Sequence, residues 1–151
     1  MTAALAEGGK APKLELPATG ESNLKVPTDG GLVLFFYPKD NTPGCTNEAK
    51  DFSALKADFA EKGYEVVGIS RDSLASHEKF IAKQELTIRL ASDEDGAACE
   101  AFGVWVEKNM YGRKYMGIER STFIISPDGV IRSVWRKVKV KEHAKTVLTT
   151  I

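Results

Sequence analysis

Leu32-Val33-Leu34-Phe35-Phe36-Tyr37-Pro38-Lys39-Asp40-Asn41-Thr42-Pro43-Gly44-Cys45 is the stretch on which the fold turns. Its first six residues are apolar or aromatic without alternation, and Pro38 stops them. Such a run predicts a strand buried on both faces, at the centre of its sheet. After a polar loop, Cys45, Ala49, Phe52, Leu55 and Phe59 recur at helical spacing. One amphipathic helix is therefore expected to end near Lys62-Gly63, with Cys45 in its first turn. Thr42 is placed as its N-cap and Pro43 as its first residue.

Downstream, Tyr64–Ser70 reads as a second buried strand, Ser73–Gln84 as a helix and Thr87–Ala91 as a short strand, giving the order βαβαβ. Ser92–Phe102 is expected as a short helix capped by Ser92, with Cys99 near Phe102 on its apolar side. Val104–Gly117 reads as irregular. Ser121–Ser126 and Val130–Val138 flank the turn signal Pro127-Asp128-Gly129, and a last helix is expected from about Lys141 to the end. Upstream, Pro12, Pro17 and Pro27 punctuate Leu14, Leu16, Leu24 and Val26, which predicts an N-terminal β-hairpin within Gly8–Gly30. The sum is an α/β chain with a central mixed β-sheet flanked by helices, and the thioredoxin-like fold fits it best. Its 151 residues suit one domain, 1–151, without repeat or linker.

Lys plus Arg equal Asp plus Glu at 21 each, so no overall field draws the chain to nucleic acid or an anionic membrane. The basic stretch Arg132–Lys141 alternates with period two, as a strand with one solvated side does. Met1–Gly9 lacks a basic region followed by an apolar one, and the expected location is cytoplasmic. Cys45 and Cys99 are the only cysteines, too few for a secreted disulfide framework. His77 and His143 form no zinc spacing with them and are expected as solvated helix residues. Trp105 and the 107–113 segment have two readings, as the border of a site that meets a reductase or, for Trp105, as core packing.

A strand that delivers a loop onto a helix start puts unpaired N–H groups and the positive end of the helix dipole beside the first turn. A cysteine held there is expected to have a lowered pKa, and thiolate is the attacking form. Spacing alone balances this against a second reading, a small apolar residue on the helix's buried face. Glu48, one turn on, either joins the site's hydrogen bonds or complements the dipole, the second being preferred.

Pro38, Thr42 and Cys45 reproduce the Pro-x-x-x-Thr/Ser-x-x-Cys pattern of peroxiredoxins, and Phe36-Tyr37-Pro38-Lys39-Asp40 resembles their bacterioferritin-comigratory, or Q-type, branch. The likeness extends over Gly68–Ser73, Asn109–Gly112 and Ile118–Gly129. It implies a thiol peroxidase that reduces hydrogen peroxide and organic hydroperoxides through a Cys45 sulfenic acid. Cys45, Thr42, Arg120 and Pro38 are the implied catalytic residues, with no cofactor and no metal. Arg120 would point its cation at the sulfur, and Pro38 would shield it. Thioredoxin or a glutaredoxin-type thiol donor is the implied reductant, and a monomer the implied state. Relatives carry a second, resolving cysteine where this chain has Lys50 or Ile81. Cys99 is the one internal candidate, and an inert core residue is the reading preferred for it. A dithiol oxidoreductase is disfavoured because Glu48 stands where Cys-x-x-Cys needs sulfur, and a non-catalytic binding module because the four motif residues are intact.

Overall fold

The computed structural model describes residues 6–20, 22–28 and 30–151. The apolar run forms β3 (Gly31–Phe36), every residue of it buried, at the middle of a five-stranded sheet. With β4 (Tyr64–Ser70), β5 (Arg89–Ser92), β8 (Ser121–Ile125) and β9 (Ile131–Trp135), the strand order is β5-β4-β3-β8-β9. β3 runs parallel to β4 and antiparallel to β8, so the sheet is mixed, as expected. The N-terminal hairpin is also present, as β1 (Leu14–Leu16) paired with β2 (Leu24–Val26).

Because successive strand residues point to opposite faces, β3 divides the molecule into two cores. Val33, Phe35 and Tyr37 face the core that holds Cys45, Ala49, Phe52, Phe59 and Phe80. Leu32, Leu34 and Phe36 face the other, with Leu24, Cys99, Phe102, Phe123 and Ile125. The first core is covered by α1 (Pro43–Ala54), α2 (Lys56–Glu61), α3 (Leu74–Gln84) and α5 (His143–Thr150), the second by α4 (Ala97–Ala101) and the β1–β2 hairpin.

Several expectations need correction. The single helix from Cys45 to Lys62 is broken at Leu55 (φ −102°, ψ 6°), whose N–H turns back 3.1 Å to the Phe52 carbonyl. This tight turn starts α2, whose Phe59 is fully buried. Ser92 ends β5 instead of capping α4; the cap residue is Gly96 (φ 79°), and the Asp93 carboxylate accepts the N–H groups of Ala98 and Cys99 at 3.0 and 2.8 Å. The stretch expected to be irregular is a hairpin, β6 (Trp105–Met110) with β7 (Arg113–Ile118), closed by Tyr111 (φ 53°) and Gly112 (φ 78°). Two positive φ values at its tip are the primed-turn geometry that matches strand twist, but tyrosine is not a residue that signals it. The last strand and helix are shorter than expected. Residues 1–5 of the Met1–Gly9 start lie outside the described residues. Among the described ones, no helix is long and apolar enough to cross a membrane.

Candidate active site

The end of β3 hands the chain to residues 38–42, and α1 begins at Pro43. Asp40 anchors this loop from beneath. Its carboxylate accepts the Tyr37 hydroxyl at 2.6 Å and the Ser76 hydroxyl at 2.8 Å, and lies 2.7 Å from His77 Nδ1. His77 Nε2 lies 2.9 Å from the Ala91 carbonyl, and the Asp40 N–H donates to Asp72 at 2.9 Å. Burial would raise the Asp40 pKa, but the His77 and Tyr37 hydrogen bonds outweigh it and hold the carboxyl below its usual range. Burial, then the Asp40 charge, pushes the Tyr37 phenol well up. Asp40, Asp72 and His77 each offer a metal-ligating atom within 4.8 Å of the others. Asp40 and Asp72 already accept the Tyr37, Ser76 and Ser70 hydroxyls, so the cluster is knit by its own donors.

On this platform Thr42 occupies the N-cap position, yet its side chain makes no cap hydrogen bond; the hydroxyl donates to the Lys39 carbonyl at 2.8 Å. Its lone pairs remain available as acceptors. Cys45 lies in the first turn of α1 and is buried. Arg120, between β7 and β8, reaches across from the neighbouring strand connection. Its Nη2 donates to Cys45 Sγ at 3.3 Å, and its Nη1 to Glu48 Oε1 at 2.6 Å. Burial alone would lower the Arg120 pKa, but the Glu48 charge and the Cys45 sulfur outweigh it and raise the value. Gly44 admits this approach, since a Cβ there would stand 3.3 Å from Arg120 Nη2.

Glu48 differs from its expected role. It lies in the second turn of α1, 1% exposed, and Oε2 has no hydrogen-bond partner among the described residues. Burial pushes its pKa to about 7, with Arg120 offsetting only part of the penalty. Both histidines are buried rather than solvated. His143 packs between Phe52 and Trp135 with Nε2 2.8 Å from the Thr122 hydroxyl, and burial, reinforced by Arg120, lowers its pKa to about 4.

Pro38 is exposed on the wall of a cavity of about 460 Å³, shared with Lys39, Arg71, Trp105 and Lys108. The half-buried ring of Trp105 packs on the second core, as one reading had it, and also borders this cavity. Cys99, fully buried in that second core, is separated from Cys45 by the sheet itself. Burial, then the Asp93 carboxylate, raises its pKa well above the usual thiol range. Sequence reasoning missed Tyr37, Asp40 and His77 as one network; their only common signal was that two of them sit in the quoted motif.

The AhpC/TSA family model matches residues 8–134. The chain belongs to the AhpC/TSA family. Its relatives are peroxiredoxins: it is 49% identical over 138 residues to peroxiredoxin Bcp of Xanthomonas campestris, covering 91% of this chain and 86% of that one. Against peroxiredoxin Bcp of Bacillus subtilis it is 46% identical over 146 residues, covering 95% and 93%. Among solved structures, a cysteine-to-serine mutant of peroxiredoxin Q from Xylella fastidiosa superposes with TM-score 0.87 at 42% identity, covering 96% of both chains. The bacterioferritin comigratory protein of Xanthomonas campestris, solved as a trapped intermediate and ligand complex to explain its alkyl peroxide reduction, superposes with TM-score 0.85 at 48% identity over 91% and 88%. This peroxiredoxin therefore has the thioredoxin-like α/β fold of the Bcp/Q-type branch. It is a thiol peroxidase, with a peroxide as substrate and a thiol as reductant.

Proposed function

We propose that Cys45 is the peroxidatic sulfur, with Arg120, Thr42 and Pro38 as its partners, in a single-domain enzyme spanning 1–151. The carrying observation is the guanidinium of Arg120, 3.3 Å from Sγ at the N-terminus of α1. Cation and helix dipole both complement the charge of an attacking sulfur. The thiolate attacks the terminal peroxide oxygen, forming an S–O bond as the O–O bond breaks. The departing oxygen leaves as water or alcohol after taking a proton, and Cys45 becomes sulfenic acid. Arg120 donates to the oxygen on which negative charge develops, and the Thr42 lone pairs accept the peroxide's O–H. Pro38, on the cavity side, limits water at the entrance.

Recycling calls for a thiol from outside the chain. Lys50 and Ile81 carry no sulfur, and Cys99 lies in the opposite core. Thioredoxin or a glutaredoxin-type donor fits that need, in the cytoplasm where such donors are kept reduced. Cys45 and its three partners lie in one chain, so a monomer carries a whole site, and we read the enzyme as a monomer. In the decisive experiment, Cys45→Ser consumes no hydrogen peroxide or organic hydroperoxide while its circular dichroism matches wild type. Consumption near the wild-type rate would overturn the assignment.

A further inference from the structure

The cavity beside Pro38 carries a charge pattern that the peroxide step does not use. Lys39, Arg71 and Lys108 line it against one carboxylate, Glu94. Arg71 is held in place, stacked 4.6 Å over Trp105 and donating to the Glu94 carbonyl at 3.0 Å. Lys108 projects from β6 with its stem across Gly117, where a Cβ would meet Cδ at 3.3 Å. Its ammonium has no ion-pair or hydrogen-bond partner among the described residues. Burial, together with the Arg120 cation, lowers its pKa, while the Cys45 sulfur and the Glu119 carboxylate act in the opposite sense. Pro38 and Lys39, of the loop that leads to Cys45, form the wall on the reacting side. Tyr115 and Met116 add half-exposed apolar wall, 43% and 49% accessible. An excess of two cations, an apolar rim and a peptide-sized volume suit a small anionic organic molecule.

We propose that this cavity binds the resolving thiol, and that the thiol is a low-molecular-weight one carrying carboxylates. The inference rests on Cys45 being oxidised to sulfenic acid. With its carboxylates on Lys39, Arg71 and Lys108, the thiolate attacks Cys45 Sγ. An S–S bond forms, the S–O bond breaks, and hydroxide leaves as water after protonation. A second molecule of the thiol then attacks the outer sulfur, releasing Cys45 thiolate and the thiol's disulfide. The two thiols supply the two electrons that the peroxide took.

Glutathione and its diethyl ester share the thiol and differ in two carboxylates. In stopped-flow measurements on preformed Cys45 sulfenic acid, normalised to thiolate concentration, glutathione is expected to react about tenfold or more faster than the ester at low salt. That ratio falls toward one with added salt, and in Lys39→Gln/Lys108→Gln without salt. Equal rates in wild type, or a ratio indifferent to both salt and the double substitution, overturn the proposal. The salt titration needs only wild-type protein, so a poorly folding variant does not spare the idea. A ratio that appears instead between carboxylated and neutral hydroperoxides in the oxidation step assigns the cavity to substrate and equally overturns it. Failure to trap sulfenic acid on Cys45 defeats the function reading itself, a different outcome from trapped sulfenic acid with equal thiol rates.

Discussion

At the scale of single residues, Arg120 and Glu48 work as one unit. Arg120 gives one nitrogen to the sulfur and the other to a buried carboxylate that is itself under-satisfied. Arg120→Ala removes the only cation hydrogen-bonded to Cys45 among the described residues. The second-order rate with peroxide should fall by about 10²-fold or more, as when one positioned donor is lost from a reacting centre. A rate within a few-fold of wild type would remove Arg120 from this role. Glu48 has a pH signature. Its folded-state pKa of about 7 lies above the ordinary 4.5, so folding favours the protonated form. That contribution is complete below pH 4.5 and disappears as pH rises through 7. Glu48→Gln imitates the protonated group, so its stability relative to wild type should improve between pH 5.5 and pH 8.5, by about 2 kcal/mol at 1.36 kcal/mol per unit. Urea unfolding at the two pH values checks this, and a difference independent of pH refutes it.

At the scale of elements, the catalytic loop is held more by what lies under it than by its own turns. Asp40 ties β3 to α3 through Tyr37, Ser76 and His77, and its side chain is 1% exposed. Asp40→Asn keeps the shape but withdraws the anion from a buried pair, which should cost about 3 kcal/mol. It should also speed hydrogen exchange at the α1 N-terminus before global unfolding; protection unchanged there would show that the loop does not depend on this anchor. Helix start, cap position and resemblance converged on Cys45 and Thr42, whereas Arg120 was legible from the resemblance alone. The network beneath was not legible. His77 sits on a helix at a position that reads as solvent-facing until the loop folds over it. Similarly, Trp105–Ile118 gave no hairpin signal because Tyr111, a bulky residue, holds the positive φ that asparagine normally takes. The Leu55 break was hidden because its apolar stripe continues through it.

At the scale of the whole molecule, the sheet decides the redox chemistry. The order β5-β4-β3 advances in one direction, so right-handed crossovers place α1 and α3 on the same face. The α4 segment leaves β5 for the other face and takes Cys99 with it, into the core of Leu34, Phe36 and Phe102. The sequence revealed two cysteines and a helix for each, but which face each helix covers depends on strand order, which a single chain does not announce. The consequence is chemical. A disulfide needs Cα atoms within about 7 Å, and here an intact β-sheet separates the thiols, one of them with its pKa raised by burial and Asp93. Cys99→Ala should therefore leave peroxide turnover with an external thiol within about two-fold of wild type. Loss of a small buried group should cost roughly 1 kcal/mol of stability. Nonreducing peptide maps after one equivalent of peroxide should show Cys45 trapped as sulfenic acid or joined to added thiol, in wild type and variant alike. A Cys45–Cys99 bridge in wild type would mean that α4 detaches from the sheet during the cycle. In that case urea sufficient to loosen α4 would speed bridge formation, whereas for the molecule as folded the bridge should appear only with global unfolding.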